Sequence, residues 1–177
     1  MAKNVGKVFE EDFKDSVPEN CYLKRLNDPP HSFTQREDTK YSKKNPYDFL
    51  MFCGDFGMLF CLELKTTSGK SISYDDIKSD ENKNRMIKKH QILGLTNVSK
   101  YKNVIAGFLL NFRDEKNDTE RLYFIDINDF NAMVRKLDKH SCSEVDLILN
   151  HAKKVSGVKK RIHFSWDIDS LIKELCE

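Results

Sequence analysis

Residues 46–65, PYDFLMFCGDFGMLFCLELK, contain the pattern that decides the fold. Two runs rich in apolar and aromatic residues flank positions 53–57, which hold two glycines and an aspartate. This composition predicts two strands joined by a hairpin turn. Side chains alternate between the two faces of a strand, so the sequence predicts one core face and one face that carries chemistry. On the second strand the predicted core face has Phe60, Leu62 and Leu64, and the other face has Cys61, Glu63 and Lys65.

The charged residues of this hairpin predict a metal site. Glu63 and Lys65 lie two positions apart on a mostly apolar strand, and Asp48 lies on the strand before it. Such groups are costly to bury unless something uses them. Two carboxylates and the carbonyl of Leu64 are ligands that suit Mg²⁺, with water and a substrate phosphate completing the shell. Lys65 would then lie beside the metal-bound water or the phosphate. The alternative is a salt bridge between strand neighbours, which is common and contributes little stability.

Length and composition predict one domain over residues 1–177, large enough for a sizeable core. A long polar segment at about residues 27–45 is expected to be a mobile loop that orders against DNA. No run resembles a signal peptide or is long enough to span a bilayer, so we expect a soluble cytoplasmic protein without a membrane partner. The five cysteines are odd in number and form no C-x-x-C pair, which predicts reduced thiols and no zinc site.

Local clusters of basic residues predict a nucleic-acid partner more strongly than the net charge of +2 does. One cluster lies in the long loop, one before Gln91 and one between residues 153 and 163. A single cluster of this kind is more often a solvated face than a binding site. The expected DNA contacts are Arg36, Lys40, Lys43 and Lys44 from the loop, and Lys83, Arg85, Lys88 and Lys89 before Gln91.

The remaining elements complete an α/β pattern. Val5, Phe9 and Phe13 recur every four residues and predict a first helix, with Glu10 beside its buried stripe and able to face inward. Residues 103–112 are apolar on both faces, which predicts a central strand, with strand 121–127 beside it. Further expected elements are strands 21–26 and 161–166, a basic helix 85–97, and helices that begin at Asn128 or Asp129, at Ser143 (through Lys153), and at Asp167 or Asp169. The predicted architecture is a central mixed β-sheet flanked by helices.

The order of these residues resembles the PD-(D/E)xK nuclease superfamily, and within it the RecU-like Holliday-junction resolvases. The similarity covers about residues 5–129: a first helix with Glu10, a long polar loop, Asp48, the Glu63-Leu64-Lys65-Thr66 segment and a basic helix with His90-Gln91. In the family, proline often directly precedes the aspartate, whereas here Tyr47 lies between Pro46 and Asp48.

The resemblance implies a restriction-endonuclease-like fold and a magnesium-dependent endonuclease, with Mn²⁺ able to substitute. Asp48 and Glu63 would bind the metal, Lys65 would position or activate the attacking water, Gln91 would support the site, and Glu10 would match the first-helix acid. Such resolvases act as homodimers that nick two strands of a four-way DNA junction symmetrically, in DNA recombination and repair. Two alternatives stay open: a restriction-type or mismatch endonuclease of the same superfamily, and a non-catalytic DNA-binding module whose charged residues form an ion-pair network.

Overall fold

The computed structural model of the protein describes residues 4–26, 45–78, 82 and 84–177. The predicted loop at about 27–45 lies almost wholly outside the described residues. Five of the expected DNA contacts also lie outside them: Arg36, Lys40, Lys43, Lys44 and Lys83.

Five helices and ten strands form the described part of the chain. In order they are α1 Val5–Lys14, β1 Cys21–Arg25, β2 Phe49–Cys53, β3 Met58–Thr67, β4 Ser71–Ser73, α2 Lys89–Val98, β5 Val104–Asp114, β6 Thr119–Asp126, α3 Ile127–Lys136, β7 Ser141–Ser143, α4 Glu144–Leu149, β8 Lys153–Val155, β9 Gly157–Lys159, β10 Phe164–Trp166 and α5 Ile168–Cys176. None of the helices in the described ranges is long and apolar enough to cross a membrane.

A six-stranded sheet in the order β1-β2-β3-β5-β6-β8 forms the centre of the fold. Strands β3 and β5 are parallel, and the other neighbours in this sheet are antiparallel. The prediction of a mixed central sheet flanked by helices is therefore confirmed. The hairpin formed by β2 and β3 is confirmed as well, with its turn between Cys53 and Met58.

Both faces of β3 are buried along its middle, which corrects the prediction that only one face of β3 belongs to the core. Helices α1 and α5 cover one face, where Phe60 and Leu62 pack against Phe13. Helices α2 and α3 cover the other face, where Cys61 packs in a second core with Ile92. Glu63 projects toward this second core and is only 1% exposed. The charged side chains of β3 therefore lie in a site with apolar walls.

The central strand β5 is buried along most of its length, as the apolar run at 103–112 predicted. It is hydrogen-bonded to β3 on one side and to β6 on the other. Gly107 allows the close approach of β6, because a Cβ atom there would lie 2.4 Å from the Ile125 carbonyl oxygen.

Helix α2 begins at Lys89, four residues later than predicted. Ile87 is held in an extended bridge with Tyr74, so the chain from Arg85 to Lys88 cannot be helical. The buried carboxylate of Asp75 accepts a hydrogen bond of 3.0 Å from the Lys89 N–H, which starts the helix there. The sequence pattern alone did not contain this tertiary contact.

Three other boundaries differ from the predictions, while two caps are confirmed. Helix α3 is capped by Asp126, not by Asn128 or Asp129, because the Asp126 side chain accepts the Asn128 N–H. Helix α4 ends at Leu149 because Lys153 pairs with β6 as part of β8. The strand predicted at 161–166 is shortened to β10. The caps Ser143 and Asp167 each accept a hydrogen bond from the first turn of their helix.

The prediction that the cysteines are reduced thiols is wrong for two of the five. Cys21 of β1 lies directly opposite Cys53 of β2, with their Cα atoms 4.4 Å apart, and the two form a disulfide. Spacing along the chain gave no indication of this pair, because strand register brings the two residues together. Cys61, Cys142 and Cys176 are free.

Candidate active site

Asp48 joins the sheet just before β2 begins. Its N–H donates to the Leu62 carbonyl over 3.0 Å, and its own carbonyl accepts from the Leu26 N–H over 2.8 Å. Since Phe49 lies opposite Leu62, the next pair in the same register is Asp48 and Glu63. The Asp48 carboxylate also accepts a 2.9 Å hydrogen bond from the N–H of Leu64. The two carboxylates and Leu64 therefore come together as the sequence predicted.

Glu63 is the most buried charged group of this site. Its Oε1 atom accepts hydrogen bonds from the Lys65 ammonium and from the Gln91 side-chain amide. Burial raises the pKa of Glu63 to about 8, an effect that the Lys65 charge opposes and the Asp48 carboxylate reinforces. At neutral pH the protein without a bound cation therefore keeps a proton on Glu63.

Asp48 is half-buried, and burial raises its pKa as well. The Lys65 charge and the hydrogen bond from the Leu64 N–H act in the opposite direction, toward the ionised form. The two neighbouring carboxylates thus share one lysine as their main source of positive charge. A nearby divalent cation would remove their repulsion and favour ionisation of both.

The Gln91 side chain has a fixed orientation at the start of α2. Its carbonyl oxygen accepts a 2.9 Å hydrogen bond from the Lys88 N–H, so its NH₂ group is the part that faces Glu63. The structure therefore brings Gln91 into the site, as the family resemblance implied. This contact also links the start of α2 to the middle of β3.

Gly94 allows α2 to approach the segment that carries Asp48. A Cβ atom at Gly94 would lie 2.2 Å from the Cβ atom of Pro46, so only a glycine fits this contact without a shift. Sequence reasoning missed this residue, although a glycine inside a helical pattern often marks a close packing contact.

Tyr47 anchors the same segment from its other side. It hydrogen-bonds to Cys61 of β3, and burial is the main cause that raises the pKa of Tyr47 to about 12. The residue inserted between Pro46 and Asp48 therefore packs as a neutral phenol in the second core. Asp48 is thus held by its own backbone bonds, by Tyr47 and by the contact of Pro46 with α2.

Glu10 lies near the site but is paired with an arginine that sequence reasoning missed. Both carboxylate oxygens of Glu10 accept hydrogen bonds from Arg25 of β1, at 2.5 Å and 3.2 Å. The Glu10 charge still acts to raise the pKa of Asp48, and Arg25 acts to lower it. Glu10 therefore acts on Asp48 through its charge, and its direct partner is Arg25.

Three of the expected DNA-binding residues are described. Lys88 directly precedes α2 and Lys89 is its first residue, so both lie at the same helix end as Gln91. The Lys88 ammonium donates to the Asn82 carbonyl over 3.0 Å. Arg85 begins the extended segment 85–88 that leads into α2, and its guanidinium lies near the His140 carbonyl. Positive charge therefore surrounds the start of α2.

The donor set of the candidate metal site consists of Asp48, Glu63 and the Leu64 carbonyl. Within the described ranges, no group of three or more His, Cys, Asp and Glu side chains is arranged to hold a metal ion. The candidate site has two carboxylate side chains and a backbone carbonyl, so it is smaller than such a group. These oxygen ligands still suit Mg²⁺, because Mg²⁺ keeps several waters when it binds to proteins. The residues present therefore fit a magnesium ion.

A second polar cluster lies where β10 meets α1. The buried carboxylate of Asp12 contacts His163 Nδ1 at 2.6 Å and accepts a 3.1 Å hydrogen bond from the Phe164 N–H. Asp12 and Arg113 also line a cavity of about 150 Å³. Asp12 uses both carboxylate oxygens to hold the carboxyl-terminal segment, so we interpret this cluster as structural.

No protein-family model matches the chain. The chain is 31% identical over 192 aligned residues to the SPbeta prophage-derived uncharacterized protein YotM of Bacillus subtilis strain 168. The alignment covers 98% of this chain and 88% of that relative. Similarity of this extent, along almost the whole length of both chains, means that the chain belongs to the same family as YotM.

Proposed function

We propose that the protein is a magnesium-dependent, structure-selective DNA endonuclease that resolves four-way junctions by paired nicks. The observation that carries this proposal is that Asp48, Glu63, Lys65 and Gln91 come together in one site with apolar walls. These are the positions that match the PD-(D/E)xK nucleases of the RecU-like group. The mixed sheet with helices on both faces is compatible with a restriction-endonuclease-like fold.

The ligand roles follow from the geometry of β2 and β3. Asp48 and Glu63, with the Leu64 carbonyl, would hold Mg²⁺. When bound, the ion would lower the pKa of a water molecule and neutralise charge on the phosphate. Asp48 is fixed by the hydrogen bond from the Leu64 N–H, so it needs little rearrangement to act as a ligand. The site can therefore present its carboxylates in a defined geometry.

Lys65 and Gln91 would act around these carboxylates. The Lys65 side chain keeps 18% of its surface exposed, so its ammonium can reach a phosphate or a water molecule as well as Glu63. A lysine is a compact point charge that suits both tasks. Gln91 donates to Glu63 from a fixed amide, which keeps the Glu63 carboxylate oriented.

The proposed substrate follows from symmetry. A four-way junction offers two equivalent phosphates across a two-fold axis, and a homodimer with one such site in each subunit can address both. Phosphate contacts from Lys88, Lys89 and Arg85 near the start of α2 would supply much of the affinity. Binding should therefore weaken steeply as the salt concentration rises.

Cleavage of a labelled mobile junction beside a linear duplex of the same sequence, with Mg²⁺, tests the proposal. The wild-type protein should cut symmetry-related strands of the junction and spare the duplex. Asp48→Asn and Glu63→Gln should bind the junction and lose cleavage, because each removes a ligand charge and keeps the shape. Glu11→Gln, on the exposed side of α1, makes the same charge change away from the site and should cleave normally.

Four results would each contradict a part of the proposal. Cleavage at the wild-type rate by Asp48→Asn or Glu63→Gln would remove that residue from the ligand set. Equal cutting of linear DNA, or sedimentation as a monomer with the junction bound, would favour a restriction-type endonuclease. Binding without any cleavage would favour a non-catalytic DNA-binding module, a function consistent with the direct contact between Glu63 and Lys65.

A further inference from the structure

Two aromatic side chains are exposed side by side on the face of the sheet that α2 partly covers. Tyr22 of β1 lies directly opposite Phe52 of β2, and Phe52 lies opposite Leu59 of β3. Tyr22 is 64% exposed and Phe52 is 45% exposed. Leu59 and Glu63 lie on the same face of β3, because they are four residues apart on one strand. The aromatic pair therefore shares a sheet face with the candidate active site.

The two faces of the β1-β2 hairpin have different surroundings. Leu23 and Met51 project to the opposite face and pack into the core that α1 and α5 cover. Helix α2 packs on β3 and β5, nearer the middle of the sheet. The outer two strands consequently present large aromatic rings to solvent, an arrangement that often marks a binding surface.

Positive charge accompanies these rings. Lys24 follows Tyr22 on the same face of β1, lies opposite Leu50 and is exposed. It forms no ion pair with another residue in the described ranges. The loop before β5 adds Lys100 and Lys102 on either side of Tyr101, which is 70% exposed. Exposed aromatic rings beside a cation such as Lys24 match the surfaces on which single-stranded nucleic acids stack their bases.

The aromatic pair is connected to the candidate active site along β2. Phe52 lies four positions after Asp48, and Leu50 lies between them on the same face. At about 3.3 Å per residue of strand, the separation is about 13 Å. A stacked nucleic-acid strand rises about 3.4 Å per nucleotide, so this separation corresponds to about four nucleotides. A strand with its phosphate at Asp48 can thus reach Phe52 and Tyr22 with a nearby base.

We infer that Tyr22, Phe52 and Lys24 form a stacking platform for unpaired bases of a DNA strand, about four nucleotides from the phosphate held at Asp48 and Glu63. The inference rests on the proposed function and specifies the substrate class: DNA with single-stranded or splayed bases beside the cleavage position. The alternative occupant, a second copy of the chain docked symmetrically on this face, would bring two Lys24 ammonium groups to one interface. The charge therefore favours the polyanion.

Fluorescence anisotropy with a labelled 20-nucleotide oligothymidine strand and a 20-base-pair duplex, without metal, tests the platform on the full chain. Tyr22→Ala should weaken single-strand binding by about 5- to 150-fold, the range found for loss of one base-stacking aromatic residue. Tyr22→Phe keeps the ring and should bind within about twofold of the wild type. Tyr22→Leu keeps apolar surface without a ring and should bind about as weakly as Tyr22→Ala. Duplex affinity should be unchanged in all three variants.

Wild-type affinity for the single strand in Tyr22→Ala or in Tyr22→Leu would overturn the platform. Sedimentation provides a second test, since a wild-type dimer that Tyr22→Ala dissociates would assign this face to protein association. Because the binding assay contains no metal, its result is independent of cleavage. A wild type that cleaves junctions but shows no dependence on Tyr22 would disprove the platform alone, and Tyr22-dependent binding without cleavage would disprove the nuclease alone.

Discussion

Replacing Glu63 with glutamine should make the protein, in the absence of metal, more stable at alkaline pH. Burial raises the pKa of Glu63 from 4.5 to about 8, so the folded protein holds this proton more tightly than the unfolded chain does. The stability that Glu63 contributes is therefore fully present below about pH 4.5 and is lost as the pH rises through about 8. Glutamine has nearly the same shape, stays neutral, and can still accept the hydrogen bond from Gln91.

The size of the effect follows from the two pKa values. At about 1.4 kcal/mol per pKa unit, a change from 4.5 to about 8 corresponds to about 5 kcal/mol. Glu63 is only 1% exposed, so solvent screening reduces this value little. The Lys65 charge already contributes to the pKa of Glu63, so the loss of this partner adds no separate cost. The difference in unfolding free energy between Glu63→Gln and the wild type should therefore shift in favour of the variant by about 3 to 5 kcal/mol as the pH rises from 4.5 to 8.5.

Urea unfolding in the presence of a chelator, at pH 4.5 and pH 8.5, measures this difference. Glu11→Gln serves as the control, because Glu11 is exposed and its replacement should leave the pH dependence as in the wild type. Parallel pH profiles for the wild type and Glu63→Gln would contradict this prediction. Such profiles would mean that Glu63 is ionised in the folded protein and that its contacts differ from those described.

Three further substitutions or treatments test the packing around the site. Gly94→Ala should destabilise the protein by about 1 to 3 kcal/mol in thermal unfolding, because the new methyl group meets the segment before β2; helix propensity alone would predict a gain. Asp12→Asn should cost about 1 to 3 kcal/mol, and adding His163→Ala should cost less than the sum of the single changes. Reduction of the disulfide between Cys21 and Cys53, which are 32 residues apart, should lower the unfolding free energy by about 4 kcal/mol; an unchanged value would mean that the disulfide does not form.

The strands and the charged residues of the hairpin could be predicted because their information is local. Alternation along 46–65 determines which side chains share a face, and this places Glu63 and Lys65 together. The position of Asp48 opposite Glu63 follows once the two strands pair. By contrast, the burial of both sheet faces depends on which helices pack there, and no short pattern contains that information.

The parts that the sequence did not predict depend on contacts between distant segments. Arg25 joins Glu10 only because β1 lies beside α1 in the fold. The start of α2 depends on Asp75, which lies on a different segment of the chain. The disulfide depends on strand register. Each of these contacts is set by tertiary structure, which overrides the helix and strand preferences of the residues involved.

Calorimetric titration of the protein with Mn²⁺ at pH 7.5 tests the metal site at Asp48 and Glu63 most directly. The wild type and Glu11→Gln should show saturable binding, and Asp48→Asn and Glu63→Gln should lose that binding. Because Glu63 holds a proton at this pH, binding should also release protons, and the measured heat should change with the ionisation enthalpy of the buffer. Unchanged binding in both variants, or no binding by the wild type, would contradict the assignment.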